Sequence, residues 1–458
     1  MKKHIRMKKI TLLFLFLIFN NLAIAQCWRS VSVSVYTTLG IKVDGTLWAS
    51  GANWNGQLGD GTTIDRNLFV QIGTDTNWKI VAAGESHSIA LKTDGTLWAW
   101  GYNAFGELGD GTVIDKLIPT QIGTATDWKS ISATYWSNLA LKNNGTLWAW
   151  GFNSYGQLGD GTVINKLIPT QIGTSIDWAK ISAGPTHSVA IKNNGTLWAW
   201  GNNSYGQFGN GNNTNSYNPI QIGTQTNWNT ALAGEYHTLA LKTVGTIFST
   251  GLNSDGRLGD GTNTLRNVLT QVGNQSNWKS IGIGKYNSLA IKINGTLWTC
   301  GGNIYGMLGD GTNLSKSILT QVGSDTNWEF ASIGEYHTIG LKTDGSSNIW
   351  GHNFYGQFGN GNTTSSLIPT VIACPTLKLV QNQIDVFKIY PNPVESILTV
   401  FSNDEQIENI SILNLLGNTI INHTNNSNQI DVENLDSGIY IISVTSNGTT
   451  TFQKFIKK

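Results

Sequence analysis

Three Glu-x-His pairs recur along this 458-residue chain, Glu85 with His87, Glu235 with His237 and Glu335 with His337, and a further histidine, His187, falls on the same spacing. Imidazole and carboxylate together suit zinc or a similar ion, which makes His87, His237 and His337 the candidate metal ligands. The same groups could serve a lyase or hydrolase as acid and base if they lined one mouth of a channel. A plainer role competes with both. Thr37, Ser137 and Asn287 hold the histidine column elsewhere, so each histidine is expected to cap a strand by hydrogen bonding within its own repeat unit. No carboxylate pair, Ser-His-Asp set or phosphate-cradling loop stands out, so no catalytic residue and no cofactor is assigned and the chain is expected not to be an enzyme.

Gly-Asp-Gly-Thr quartets begin at Gly59, Gly109, Gly159, Gly259 and Gly309 and invite a calcium reading, but Asn210 and Asn360 replace the aspartate in two units. Turn formation explains them more simply.

Aromatic residues offer a different chemistry. Tyr36, Trp136, Tyr236, Tyr286 and Tyr336 form one column, interrupted by Ser86 and Thr186. Trp54, Phe105, Tyr155, Tyr205, Tyr305, Phe354 and Tyr355 sit beside glycines in a loop. Tyrosine and tryptophan bring large contact area at low entropic cost, and so suit a protein or glycan contact surface. The competing role is packing between repeat units. The first of these columns, with Glu85, Glu235 and Glu335, is the candidate binding face.

These residues are positioned by a fifty-residue repeat that runs seven times without an insertion. Its columns are Gly51, Gly101, Gly151, Gly201, Gly251, Gly301 and Gly351, the glycines from Gly45 to Gly345 at the same period, and the tryptophans Trp28, Trp78, Trp128, Trp178, Trp228, Trp278 and Trp328. In one unit, Lys79 to Ala83 reads as a strand, Ser88 to Lys92 as a second with alternating faces, and Thr96 to Trp100 as a third after an Asp94-Gly95 hairpin turn. Pro119 to Ile122 reads as a fourth strand opening on its proline. Four strands per unit make a propeller blade, and closing seven of them in a ring removes the edges that separate sheets would expose. The fold expected is all-β: a seven-bladed β-propeller over 26–377, with blades starting near 28, 78, 128, 178, 228, 278 and 328. A linker at 378–385 and a small β-sandwich at 386–458 follow.

The chain has 3 cysteines. Cys374 corresponds by register to Thr74 and Cys27 to Asn77, three positions apart in one inter-blade turn, so a Cys27–Cys374 disulfide is expected to lock the ring. Cys300 replaces a strand tryptophan and reads as a small buried apolar residue. Lys2, Lys3, Arg6, Lys8 and Lys9, an apolar run from Ile10 to Phe19 and Ala23-Ile24-Ala25 form the three regions of a secretory signal peptide over 1–25, with cleavage after Ala25. Gln26 is too large for the small residue that precedes a lipid-attachment cysteine. A net charge of +1, with charged residues only 12% of the chain and no basic stripe, argues against a nucleic-acid partner.

The unit from Gly151 to Gly161, Gly-x-Asn-x-x-Gly-Gln-Leu-Gly-x-Gly, with Gly184 to Ser188 upstream of its successor, resembles the regulator-of-chromosome-condensation repeat, and the resemblance covers all seven units. It implies a propeller whose loop faces bind other proteins. The family's nuclear exchange role toward a small GTPase is not expected here, because the signal peptide points out of the cell. The tail carries its own resemblance: Tyr390-Pro391-Asn392-Pro393, Leu413 to Gly417, Gly438 and Tyr440, and the basic end Lys454 to Lys458 are similar to a type A sorting domain of the type IX secretion system. That implies a Bacteroidetes-type bacterium, engagement of the type IX machinery, and a secreted or cell-surface product that meets an extracellular protein or glycan.

Overall fold

The computed structural model describes residues 27–375, 387–402, 407–414, 419–423, 428–446 and 449–458. The signal peptide and its cleavage point, the linker at 378–385, Val386 and the Gly417 end of one tail motif lie outside the described residues.

In each repeat the tryptophan column opens the first strand, as Trp78 does for Trp78–Ala83, and is buried. The second strand, His87–Lys92, is buried along its whole length. Alternating faces were expected there. Both faces are covered because the strand lies between neighbouring blades, and such strands carry small and aliphatic residues on both sides. Asp94-Gly95 turns the chain as expected: Asp94 Oδ1 accepts from the Thr96 backbone N–H at 3.0 Å and the Thr96 hydroxyl at 2.7 Å. Gly95 has φ 80°, and a Cβ there would meet the Thr126 carbonyl at 2.1 Å, so the position requires glycine.

The fourth strand is Lys116–Gln121, starting three residues before Pro119 rather than at it. The register is interrupted between Ala99 and Gly101, whose partners are Thr120 and Lys116, so Pro119 sits in an edge-strand bulge where a missing donor costs little.

Seven such four-stranded antiparallel sheets, each in sequential order, make up the N-terminal unit. The blades are joined by one repeated bond. The side chain at the second position of each second strand donates to a carbonyl of the preceding blade: Ser88 to Gln57, Asn138 to Glu107, Ser188 to Gln157, Thr238 to Gln207, Ser288 to Arg257 and Thr338 to Met307, at 2.6–2.8 Å. Thr38 donates to the Gln357 carbonyl at 2.7 Å and thereby closes the ring. The Cys27–Cys374 disulfide spans the same seam, across a sequence separation of 347.

The quartet loops close on themselves. Asn103 Nδ2 donates to Asp110 and to the Thr112 and Ile114 carbonyls, and Asp110 accepts from the Thr112 N–H at 2.9 Å. The aspartates thus act as turn formers.

The C-terminal unit, Thr376–Lys458, has a three-stranded sheet and a four-stranded sheet around Leu398, Val400, Ile410, Ile412, Ile442, Val444 and Phe455. Within it the Tyr-Pro-Asn-Pro turn is tied to the last strand: the Ile456 N–H donates to Asn392 Oδ1 at 2.9 Å, and the Val394 N–H to the Ile456 carbonyl at 2.8 Å. Tyr440 stacks on Phe455 and donates its hydroxyl to the Asp436 carbonyl.

Candidate functional site

The turn between the first two strands of a blade and the loop after its third strand emerge at the same end of the ring. One residue per blade from the turn forms the axial mouth: Val35, Glu85, Tyr135, Pro185, Glu235, Lys285 and Glu335, most of them lining a single cavity. The three glutamates expected at one mouth therefore fall in one ring of positions, and two further groups join them that the Glu-x-His pattern did not reveal. Tyr135 donates its hydroxyl to Glu335 across the axis, and Lys285 pairs with Glu335 at 3.1 Å while lying 5.1 Å from the Tyr135 and Tyr286 ring centres. Reading the column one residue before the aromatics down all seven units would have found both.

Charge at this mouth is strongly coupled. Burial raises the Glu85 carboxyl, as does Glu335, while Lys285 opposes. Burial also raises Glu235, against the Lys285 ammonium. Burial by itself would lower Lys285, but the Glu335 and Glu235 carboxylates outweigh it and raise it. Burial, then the Glu335 charge, push the Tyr135 phenol far above its usual range, so it remains a hydrogen-bond donor.

The histidines point elsewhere. Each is fully buried in a seam and reaches the next blade rather than its own: His87 Nε2 to Asn138 Oδ1 at 2.9 Å, His187 to Thr238 at 2.9 Å, His237 to Ser288 at 3.2 Å and His337 to Thr38 at 2.9 Å. This corrects the expected bond within a single unit. A propeller's second strand sits face to face with its neighbour, so the nearest polar partner lies one blade away. Three of these partners are hydroxyls already donating to a carbonyl, which makes the imidazole Nε2–H the donor. Burial pushes His87 down to about 4 and His187 and His337 to about 3, so all are neutral. The candidate metal ligands His87, His237 and His337 lie in separate seams, and among the described residues no three His, Cys, Asp or Glu groups are gathered as a metal would need.

The two aromatic columns turn out to be one surface. The loop ring of a blade packs on the turn ring of the next: Phe105 on Trp136 (centroids 6.2 Å), Tyr205 on Tyr236 (5.0 Å), Tyr305 on Tyr336 (5.3 Å) and Tyr355 on Tyr36 (4.8 Å). Around the closure seam these contacts fuse into a cluster of Tyr36, Trp54, Tyr305, Tyr336, His352, Phe354 and Tyr355. His352 was not singled out from the sequence, because no other unit has histidine there. The turn rings are half-buried. Trp54 and Phe354 are not, at 49% and 66% exposed. Tyr286, in turn, faces the Arg257 guanidinium and Lys285.

Residues 19–291 match the family model described as RCC1-like domain, 331–357 the regulator of chromosome condensation (RCC1) repeat, and 388–458 the secretion system C-terminal sorting domain. Among solved structures, human WBSCR16 is 20% identical with a TM-score of 0.62, covering 70% of this chain and 88% of that one. Prp20p from Saccharomyces cerevisiae is 20% identical with a TM-score of 0.65, covering 76% and 89%. Both share the propeller fold. An ulvan lyase, NLR42 from Nonlabens ulvanivorans, is 36% identical over 81 residues, which is 17% of this chain and only 15% of the lyase.

Proposed function

Since the chain belongs to the RCC1-like domain family and carries a C-terminal sorting domain that sends it to the cell surface or beyond, we propose that it is a non-catalytic binding module that grips an extracellular protein through the aromatic face around its axial mouth. The observation that carries this reading is the pair Trp54 and Phe354, exposed on a cluster whose other rings hold them from below. Preorganised aromatic anchors of this kind are what protein interfaces concentrate at their centres. Of the groups an enzymatic reading would draw on, Glu335 is engaged by both Tyr135 and Lys285, and the histidines are bonded within the blade seams.

A second reading, glycan binding, is favoured by the make-up of the same cluster. Its members are aromatic rings with tyrosine hydroxyls and one low-pKa histidine, a surface on which a sugar ring can stack without charge.

The test is capture with the exported protein and its W54A/F354A variant, against fractionated outer-membrane and culture proteins and against a polysaccharide panel. A saturable protein partner lost in the variant supports the module. Polysaccharide binding lost in the variant transfers the face to glycan, and binding unchanged by both substitutions removes the face from the mechanism.

A further inference from the structure

We propose that Glu107 is held as a neutral carboxylic acid that donates a hydrogen bond to the Tyr135 carbonyl, so that the seam between the second and third blades weakens when this acid ionises.

The position recurs as Gln57, Glu107, Gln157, Gln207, Arg257, Met307 and Gln357. One end of the side chain accepts from the backbone N–H two residues earlier, in Gln57 at 2.9 Å, Gln157 at 3.0 Å, Gln207 at 3.0 Å and Gln357 at 3.1 Å. Glu107 Oε2 makes the same bond to Phe105 at 2.8 Å. The other end acts as a donor where its partner is an oxygen: Gln157 Nε2 to the Pro185 carbonyl, Gln207 Nε2 to Asn202 Oδ1, and Arg257 Nη1 to the Lys285 carbonyl. Gln357 Nε2 meets His352 Nδ1. Pro185 and Lys285 lie 28 positions beyond their donors, and the matching residue for Glu107 is Tyr135. Glu107 is 0% exposed, and its Oε1 has no partner. A carboxylate oxygen has no hydrogen to give a carbonyl. A protonated one does, and then fills the role of the amide nitrogen.

Burial dominates the carboxyl's environment: the backbone N–H groups of Glu107 and Phe105 favour its ionised form but do not outweigh burial, and among the described residues no cation is a cause of its shift. The titratable groups around the carboxyl are Asp115, whose charge raises it further, and Tyr102, which the carboxyl raises in turn. From the third blade, Asn138 and Trp150 donate to the Glu107 backbone carbonyl and carry no charge. His87, which bonds Asn138, is neutral. Burial pushes the acid up to about 7 from an ordinary 4.5. With the folded value raised, the contribution is fully present below about pH 4.5, is lost as pH rises to about 7, and is constant above that. Tyr135 also carries the bond across the axis to Glu335, so ionisation loosens the residue on which that tie depends.

The experiment compares the full-length exported protein with E107Q, which installs the amide that four other blades carry. The thermal midpoints should agree at about pH 4.5, separate by several degrees in favour of E107Q by about pH 7.5, and stay parallel above that. Infrared difference spectra should show a protonated-carboxyl band at about pH 6 in the parent and lose it in E107Q. Midpoints that track each other at every pH, a band that E107Q leaves in place, or failure of E107Q to fold would each overturn the proposal.

Discussion

His337 of the seventh blade donates to Thr38 of the first at 2.9 Å, across 299 residues of sequence, while Thr38 donates in turn to the Gln357 carbonyl. The same relay runs His187 to Thr238 to Gln207 and His237 to Ser288 to Arg257, so the ring closes with a bond that it also uses between its interior blades.

These relays make the propeller acid-sensitive. A histidine held at about 3 in the fold and near 6.5 in the unfolded chain is neutral in one and charged in the other between those values, so stability falls as pH drops from about 6.5. At pH 5 the loss is about 2 kcal/mol for each such histidine. Denaturant midpoints from pH 7.5 down to 4.5 should show this slope, and H187N/H337N should flatten it. A slope unchanged in the double variant would place the acid sensitivity elsewhere.

Opening the Cys27–Cys374 bond should loosen the seam without dissolving the blades. The bond closes a loop of nearly the whole propeller, which corresponds to roughly 6 kcal/mol of chain entropy. The C27S/C374S protein should unfold at clearly lower denaturant and be cleaved first near its seam under limited proteolysis. Equal midpoints for the oxidised and reduced protein would show that the Thr38 and His337 bonds hold the seam unaided.

Across the axis, removing Glu335 should cost more than removing the hydroxyl it accepts from. Y135F deletes one hydrogen bond, about 1 kcal/mol, whereas E335A also strips the half-buried Lys285 of its direct ion-pair partner, for about 2 kcal/mol or more. Adding K285M to E335A should recover part of that loss. Urea midpoints of the three proteins decide it: Y135F costing more than E335A would mean that the phenol, not the ion pair, holds the mouth.

Much of this architecture was legible in the chain because it is local. Trp78 at a strand start, Asp94-Gly95 at a positive-φ turn and the glycine-studded loop closed by Asn103 are set by neighbours within a few residues, and the fifty-residue period copies them around the ring. Pro119 misled on its strand's start because the bulge that accommodates it depends on the register with Ala99 and Gly101.

The number of blades and their four strands could be read from the chain alone, since periodicity and short-range hydrogen bonding specify them; the pairing of Cys27 with Cys374 came from superposing the repeat register on a closed ring, and the sorting motif from its resemblance. It took the folded ring to show that the histidines reach the next blade, that two aromatic columns merge into one face with Trp54 and Phe354 exposed on it, that Tyr135 meets Glu335 200 residues away, and that Glu107 Oε1 is buried without a partner where Gln157 and Arg257 donate. The reason is geometric. A repeat fixes what each residue does inside its own sheet, but the partner of a side chain that leaves the sheet is set by how blades face one another and by closure of the ring, and no spacing along the chain encodes that distance.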